Sequence, residues 1–417
     1  MTERLGEQPC AVRHWHTELI EAWETEPLSG VDVYQLTSAP VISNNIYGEE
    51  PCASSDGTRF AFTRFSHPQG RSGLLGEGYS LWVCDLAARY PLLTRIEPEL
   101  LAIPGCASYT GRIYYQRRRA GRRELACLDL DTLETGPVFD LEADNLLSDP
   151  VGLTSASADG RYFIAMEVTY PREGIAQNCR LLRLDLREKS WKVIHENVDI
   201  VNPHLHFAPH NHDILIQHNR GAVLGAEPGR IERPCDERGT TLYVIDADGG
   251  NLRQVPLGTP WTTPITGHQA WVGSSGEVLA TVNAGKWPGG RRDHEDDRRA
   301  HAFRKGTLFV ARPGDDQPRA ISRGYRFGHI SVSRNGRYYV GDVGNVPGRP
   351  LVIGSVATGR AFTLCHSGDS RSCVQFSHPH PYFTADLRWV IFNSDKSGVP
   401  QLYGARLPEY IFAALDD

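Results

Sequence analysis

The 417-residue chain is 40% hydrophobic and 23% charged, with 41 glycines and 27 prolines, which places it among ordered globular proteins with ample material for a core. Its net charge of −6 gives no basic excess for nucleic acid, and no stretch reaches the length of a membrane helix. The nine cysteines are scattered without C-x-x-C spacing, so neither a disulfide framework nor a zinc module is indicated. With an N-terminus that lacks an apolar signal run, this predicts a cytoplasmic protein.

In chain order, residues 1–30 form an N-terminal extension in which T-E-L-I-E-A-W (Thr17–Trp23) is expected as a short helix packed outside. Val31–Thr37 reads as a strand without a local partner. Hairpins follow, each turning on Asp-Gly, Asn-Gly or a similar pair between apolar runs, because those residues accept positive φ cheaply. Examples are A-S-S-D-G-T-R-F-A-F (Ala53–Phe62), A-S-A-D-G-R-Y-F-I-A (Ala156–Ala165), S-R-N-G-R-Y-Y-V (Ser333–Val340) and T-A-D-L-R-W-V-I-F (Thr384–Phe392). A third strand follows each hairpin, as in S-L-W-V-C-D-L (Ser80–Leu86) and R-L-L-R-L-D-L (Arg180–Leu186). Seven such units, of about four strands each, predict an all-β fold: a seven-bladed β-propeller over residues 31–417. Val31–Thr37 would complete the seventh blade and close the ring, covering both edges.

Propeller geometry puts the start of each first strand, the end of the second and the start of the third on one face. His204, His206, His268, His329, His378 and His380 all open first strands, His218 ends a second strand and Arg180 starts a third. The long connections 220–240 and 286–306 belong to the same face. Histidines and long loops therefore crowd one mouth of the channel. In H-P-H, residues two apart point the same way along a strand, so His378 and His380 offer two imidazoles on one side. His268 would add a third and Gln375 an amide oxygen, a donor set suited to a divalent transition ion. His206 is expected to face away or pack under a loop, and His210 and His212 to be solvated. His329 is read as a ligand neighbour, a substrate contact or a hydrogen-bonded channel histidine, with the last two favoured. The run R-R-D-H-E-D-D-R-R (Arg291–Arg299) is read as a solvated loop covering the mouth.

H-P-H-P-Y-F-T-A-D-L-R-W with S-D-K-S-G-V-P-Q-L-Y, G-H-Q-A-W, N-P-H-L-H-F-A-P and C-R-L-L-R-L-D-L together resemble segments of the oligogalacturonate lyase family, seven-bladed propellers that cleave pectin fragments by β-elimination. The resemblance is good over units three to seven and loose over the first two. It implies metal ligands His268, Gln375, His378 and His380, typically with manganese, and an oligogalacturonate or similar uronate as substrate. It also implies His204 as the base and Arg180 as the charge-neutralising arginine, with His218 the alternative base and Arg183 the alternative arginine. The chain departs from the family pattern where acidic neighbours become Asn219 and Gln269, and both long loops exceed the usual length. Two other readings stand beside this one. The first is a non-catalytic propeller of the TolB-like kind that binds a protein partner. The second is a lyase or epimerase for a different uronate.

Overall fold

The computed structural model describes residues 15–17, 22–25, 29–65, 78–88, 91–147, 151–283, 307–322, 324–344, 346, 348–370 and 376–417. Among them the backbone is almost wholly extended. The first antiparallel sheet runs Ser43–Asn45, Arg59–Phe65, Tyr79–Asp85, Leu92–Leu100, with Trp15–Thr17 added at its end. An eight-stranded sheet follows, made of two antiparallel groups joined by a parallel bridge between Ser155 and Cys106. Its halves are Gly105–Cys106 to Thr135–Asp140 and Val151–Ala156 to Ser190–Glu196. Three four-stranded sheets come next, opening on His206–Phe207, Ile265–Trp271 and Phe327–Val332. The last sheet contains Tyr382–Phe383, Trp389–Ser394 and Gln401–Arg406, then Asp32–Gln35 and Ala22–Thr25 from the N-terminal part of the chain. Counting the eight-stranded sheet as two, four-stranded groups occur seven times among the described residues, the first and last each carrying a fifth strand, Trp15–Thr17 and Ala22–Thr25.

The hairpin turns carry a recurring device. In four of them a Ser or Thr hydroxyl donates to the Asp or Asn two residues on: Ser54 to Asp56, Ser157 to Asp159, Ser333 to Asn335 and Thr384 to Asp386. That same side-chain oxygen accepts the backbone N–H two residues further on, which fixes the turn locally before any long-range contact forms. The D-G and N-G signals in the sequence therefore mark real hairpins.

Apolar cores lie between successive groups. Between the third and fourth, Ile164, Met166, Leu181, Ile214 and Ile216 interdigitate. Between the seventh and first, Leu36, Phe60, Phe62, Ile391 and Leu402 do the same. Each fully buried side chain of this size is worth about 1.5–3 kcal/mol, so every inter-sheet core is a substantial contribution. The short helix Tyr410–Asp416 buries Ile411 and Leu415 in the core of the sixth and seventh groups. It is tied down by Asp416, which accepts from the Tyr338 hydroxyl at 2.7 Å and from Arg337 at 2.6 Å.

The N-terminal part departs from expectation. Where a helix was expected over Thr17–Trp23, Trp15–Thr17 pairs with Leu92–Thr94 and Ala22–Thr25 pairs with Asp32–Tyr34. Pairing to existing edges satisfies the backbone groups of a short segment better than an isolated helix could; residues 18–21 lie outside the described ones. Asp32–Gln35 runs antiparallel to Gln401–Arg406, with Val33 opposite Ala405. No helix among the described residues is long and apolar enough to cross a membrane.

Candidate metal and acid–base centre

Four histidines share one register position. In the fourth to seventh groups the first strand meets the second at Phe207 and Ile214, Trp271 and Val278, Val332 and Tyr339, and Phe383 and Val390. Three residues before each first-strand partner stand His204, His268, His329 and His380. Successive sheets thus deliver an imidazole to the same level of the channel. The equivalent position in the first group is Glu50, with Glu49 beside it.

The backbone carrying these side chains is clamped. Asn393 donates to the carbonyls of Asn45's side chain at 2.9 Å and of His378 at 3.2 Å, and Asn45 donates to the His380 carbonyl at 2.7 Å. His204 and His380 both have φ of 42°, each directly after a proline. A non-glycine residue in the left-handed region costs on the order of 1–3 kcal/mol and persists where its surroundings over-determine it. Gly48 is required by a close approach, since a Cβ there would lie 2.6 Å from the His380 carbonyl oxygen.

Glu49 joins the rings. One carboxylate oxygen is 2.9 Å from His204 Nδ1 and 3.3 Å from His206 Nε2, and the other is 2.8 Å from His268 Nδ1. His268 and His329 have ring centroids 4.3 Å apart, His329 and His380 4.0 Å, and His329 and His378 5.2 Å. Tyr47 packs on His380 at 4.8 Å and on His204 at 5.6 Å. Asp342 accepts both the backbone N–H of His329, at 2.6 Å, and its Nδ1, at 3.1 Å. Two sets of donor atoms, from His329, His378 and His380 and from Glu49, His204 and His268, each lie within 4.8 Å of one another.

Burial works to raise the Glu49 carboxyl, but its electrostatic interaction with His204 and the hydrogen bonds of His204, His206 and His268 outweigh it and hold it well below the carboxylate range. Burial and the neighbouring rings push His380 well below the usual imidazole value, which favours the neutral ring with its single lone-pair nitrogen. The Tyr47 phenol is driven up by burial and by the Glu49 and Asp342 charges, so it stays protonated. Imidazoles converging beside an ionised carboxylate fit a divalent transition ion, because imidazole binds metal as the neutral base.

His206, expected to face away from His204's neighbours or to pack under a loop, instead reaches the same carboxylate and is 1% exposed. His204 also has Nε2 3.1 Å from the Asn202 amide. His218 lies on Ile214–Asn219 of the sheet that His206–Phe207 opens, 3.7 Å from Asp199 and edge-on to Tyr243, whose hydroxyl is 2.8 Å from His195 Nε2. Burial lowers His218 below the usual imidazole value. Arg180 pairs with Glu167 at 2.8 Å with its side chain 42% exposed, whereas Arg183 lies over the Tyr162 ring on the opposite face of the strand. His212 meets Asp159 at 3.1 Å and His210 is exposed. Gln375 and residues 284–306, with the charge run 291–299, lie outside the described residues. The 220–240 connection contains a small hairpin, Val223–Leu224 with Ile231–Arg233, held to the third group by Gln177 and by the Tyr170 hydroxyl.

Tyr47, Glu49 and Asp342 escaped the sequence reading. A cavity of about 370 Å³ is lined by Glu49, Glu50, His206, Trp271 and residues of the hairpin turns, so it lies at the turn end and reaches the Glu49 carboxylate without being lined by His204, His268, His329, His378 or His380. At its wall Glu50 accepts from the Ser155 hydroxyl at 2.6 Å, and burial raises its carboxyl well above the usual range.

No family model matches the chain. It is 23% identical over 425 residues to the oligogalacturonate lyase of Dickeya dadantii, covering 93% of this chain and 96% of that one. It is likewise 23% identical to the oligogalacturonide lyase of Pectobacterium atrosepticum, over 92% of this chain and 95% of that one. Among solved structures, an oligogalacturonate lyase in complex with manganese superposes with a TM-score of 0.68 at 19% identity, over 96% of this chain and 99% of the other. One from Vibrio parahaemolyticus gives 0.65 at 18%, over 95% and 99%. The family resemblance read from the motifs thus extends along nearly the whole chain.

Proposed function

We propose that this chain, alike in sequence and fold to the oligogalacturonate lyases, is a metal-dependent lyase that cleaves short oligogalacturonates by β-elimination. The observation that carries the reading is the convergence of His204, His268, His329, His378 and His380 on one buried carboxylate-flanked cluster. On this reading the seven four-stranded groups are blades of one closed ring spanning residues 31–417. The pairing of Asp32–Gln35 with Gln401–Arg406 and the apolar core between the seventh and first groups support it.

His268, His378 and His380 hold the ion, with Gln375 as a further ligand by the family pattern. A bound divalent ion, manganese by the likeness, supplies a Lewis acid for the uronate carboxylate and so favours charge development at C5. Arg180, which gives one N–H to Glu167 and keeps others exposed, neutralises the same carboxylate. His204 donates Nδ1–H to Glu49, which leaves Nε2 as the basic nitrogen once substrate displaces the Asn202 amide. It takes the C5 proton, the C–H electron pair becomes the C4–C5 double bond, and the C4 oxygen departs and is protonated. His218 is the alternative base, neutral and half-buried beside Asp199.

A related lyase or epimerase for another uronate is the second reading, favoured by the two neutral residues beside the site. Gln269 is fully buried with its amide 3.5 Å from the His204 carbonyl, and Asn219 accepts the Asn202 N–H at 3.2 Å. The test is near-ultraviolet absorbance of the unsaturated product from di- and trigalacturonate, before chelation, after it, and after manganese is restored. A rise that chelation abolishes and manganese restores is expected. No rise from folded, metal-loaded protein moves the assignment to another uronate.

A further inference from the structure

His329 has no role in the ligand set above, yet it stands at the centre of the ring contacts. Its ring lies 4.3 Å from His268, 5.2 Å from His378 and 4.0 Å from His380. One donor atom each from His329, His378 and His380 falls within a 4.8 Å sphere of mutual distances. It occupies the register position of His268 one group along.

Its partner is what gives it a direction. Asp342 is 2% exposed and sends one oxygen to both the His329 backbone N–H and Nδ1. Gly328 leaves room for this, since a Cβ there would stand 3.0 Å from the other Asp342 oxygen. An ionised carboxylate can accept only, so Nδ1 carries the proton and the lone pair of His329 sits on Nε2. The same argument applies to His268, whose Nδ1 is 2.8 Å from Glu49. Two neighbouring imidazoles therefore have their Nδ1 atoms committed to separate buried carboxylates. A carboxylate–histidine–metal arrangement is built in this way, with the outer carboxylate fixing tautomer and ring orientation and raising ligand basicity.

We propose that His329, oriented by Asp342, is a metal ligand in this chain, and that the ion is held by an imidazole set of His268, His329, His378 and His380. The proposal rests on the metal-centre part of the preceding reading and is independent of which uronate is cleaved. A fourth imidazole beside the ligands named above raises the nitrogen share of the set and so strengthens its preference for cobalt, nickel, zinc or iron(II) relative to manganese.

The test is calorimetric titration of metal-stripped wild-type protein, His329→Ala, His329→Gln, Asp342→Asn and His380→Ala with Co2+ and Mn2+, with the visible absorption of the cobalt forms. Melting of the stripped proteins establishes which variants are folded. Both His329 variants should lose Co2+ affinity as His380→Ala does, by about 100-fold or more, and their cobalt spectra should change in energy and intensity. Asp342→Asn should lose about 10–100-fold while retaining the wild-type spectral pattern. Wild type should bind Co2+ more tightly than Mn2+ by a margin that shrinks in His329→Gln, which restores an oxygen donor. Wild-type affinity and spectrum in a folded His329 variant would overturn the proposal and leave His329 a hydrogen-bonded channel residue. Wild type that binds neither ion would also overturn it. If one His329 variant fails to fold, the other and Asp342→Asn decide. Tight, His329-dependent binding in a protein inactive on digalacturonate would keep this inference and remove the lyase reading.

Discussion

Glu49 and His268 are separated by 219 residues in sequence, yet a Glu49 oxygen lies 2.8 Å from His268 Nδ1. Its other oxygen lies 2.9 Å from His204 Nδ1. One carboxylate thereby sets the tautomer of two imidazoles that belong to different sheets. Replacing Glu49 with Gln puts an amide N–H against one of two N–H donors, and Ala removes both acceptors. Metal affinity should fall about 10–100-fold in either variant, read by titration of the stripped protein. Turnover should stay depressed at saturating metal, because His204 is released as well. Unchanged affinity in Glu49→Gln would mean that Glu49 merely fills the channel.

Gly48 offers a test of the backbone clamp without touching a donor. A methyl group added there meets the His380 carbonyl oxygen at 2.6 Å and that of Pro381 at 3.1 Å. Gly48→Ala should cost about 1–3 kcal/mol of stability and weaken metal retention together. Loss of stability with metal affinity intact would separate the clamp from the site.

The N-terminal strand should be essential to the fold. Val33 is fully buried in the core of the sixth and seventh groups and stands opposite Ala405. Val33→Asp places an unpaired carboxylate there and should destabilise by about 3–5 kcal/mol, measured as the shift in urea midpoint. A shift below about 1 kcal/mol would show that this strand is dispensable.

Acid should act partly through Asp213. Arg253 gives it two hydrogen bonds, at 2.7 and 3.0 Å, and reaches Asp246 as well at 2.8 Å. Burial works to raise this carboxyl, but the hydrogen bonds from Arg253 and Asn211 hold it below its ordinary value. A depressed folded value adds stability above the unfolded value, near pH 3.9, and loses it as pH falls through the folded one. Wild type should therefore exceed Asp213→Asn in urea midpoint at about pH 6, with the gap closing below about pH 4. A gap independent of pH would assign the effect to packing.

The hairpins were legible because Asp-Gly, Asn-Gly and their relatives act locally, and Asp56, Asp159, Asn335 and Asp386 hold their own turns. H-P-H drew notice on the argument that residues two apart in a strand share a side, but the segment is not a strand. It precedes Tyr382–Phe383, His380 has φ of 42°, and the two ring centroids lie 5.9 Å apart. Tyr47, Glu49 and Asp342 were not legible, since what gives them meaning is proximity across sheets. Asp342 sits inside an apolar strand, and I-Y-G-E-E carries no spacing relative to any histidine. Counting three residues back from each hairpin partner would have aligned His204, His268, His329 and His380 and landed on Glu50, next to Glu49. At Thr17 and at Ala22–Trp23, the two ends of the expected helix, the described residues are strands. Local helical pattern there was overridden by open sheet edges that could accept short strands.

The clamp between Asn45 and Asn393 also has a consequence for biosynthesis. Asn45 is made 348 residues before Asn393, so a nascent chain carries His268 and His329 without His378 and His380 until the sheet holding Trp389–Ser394 is under way. Any ion that binds the finished centre and not the unfinished one stabilises the joined state by about 2.7 kcal/mol at a hundred times its dissociation constant. Metal supply would then act as a late checkpoint on maturation, and a pulse of chelator during synthesis should harm the newly made protein more than the protein already assembled.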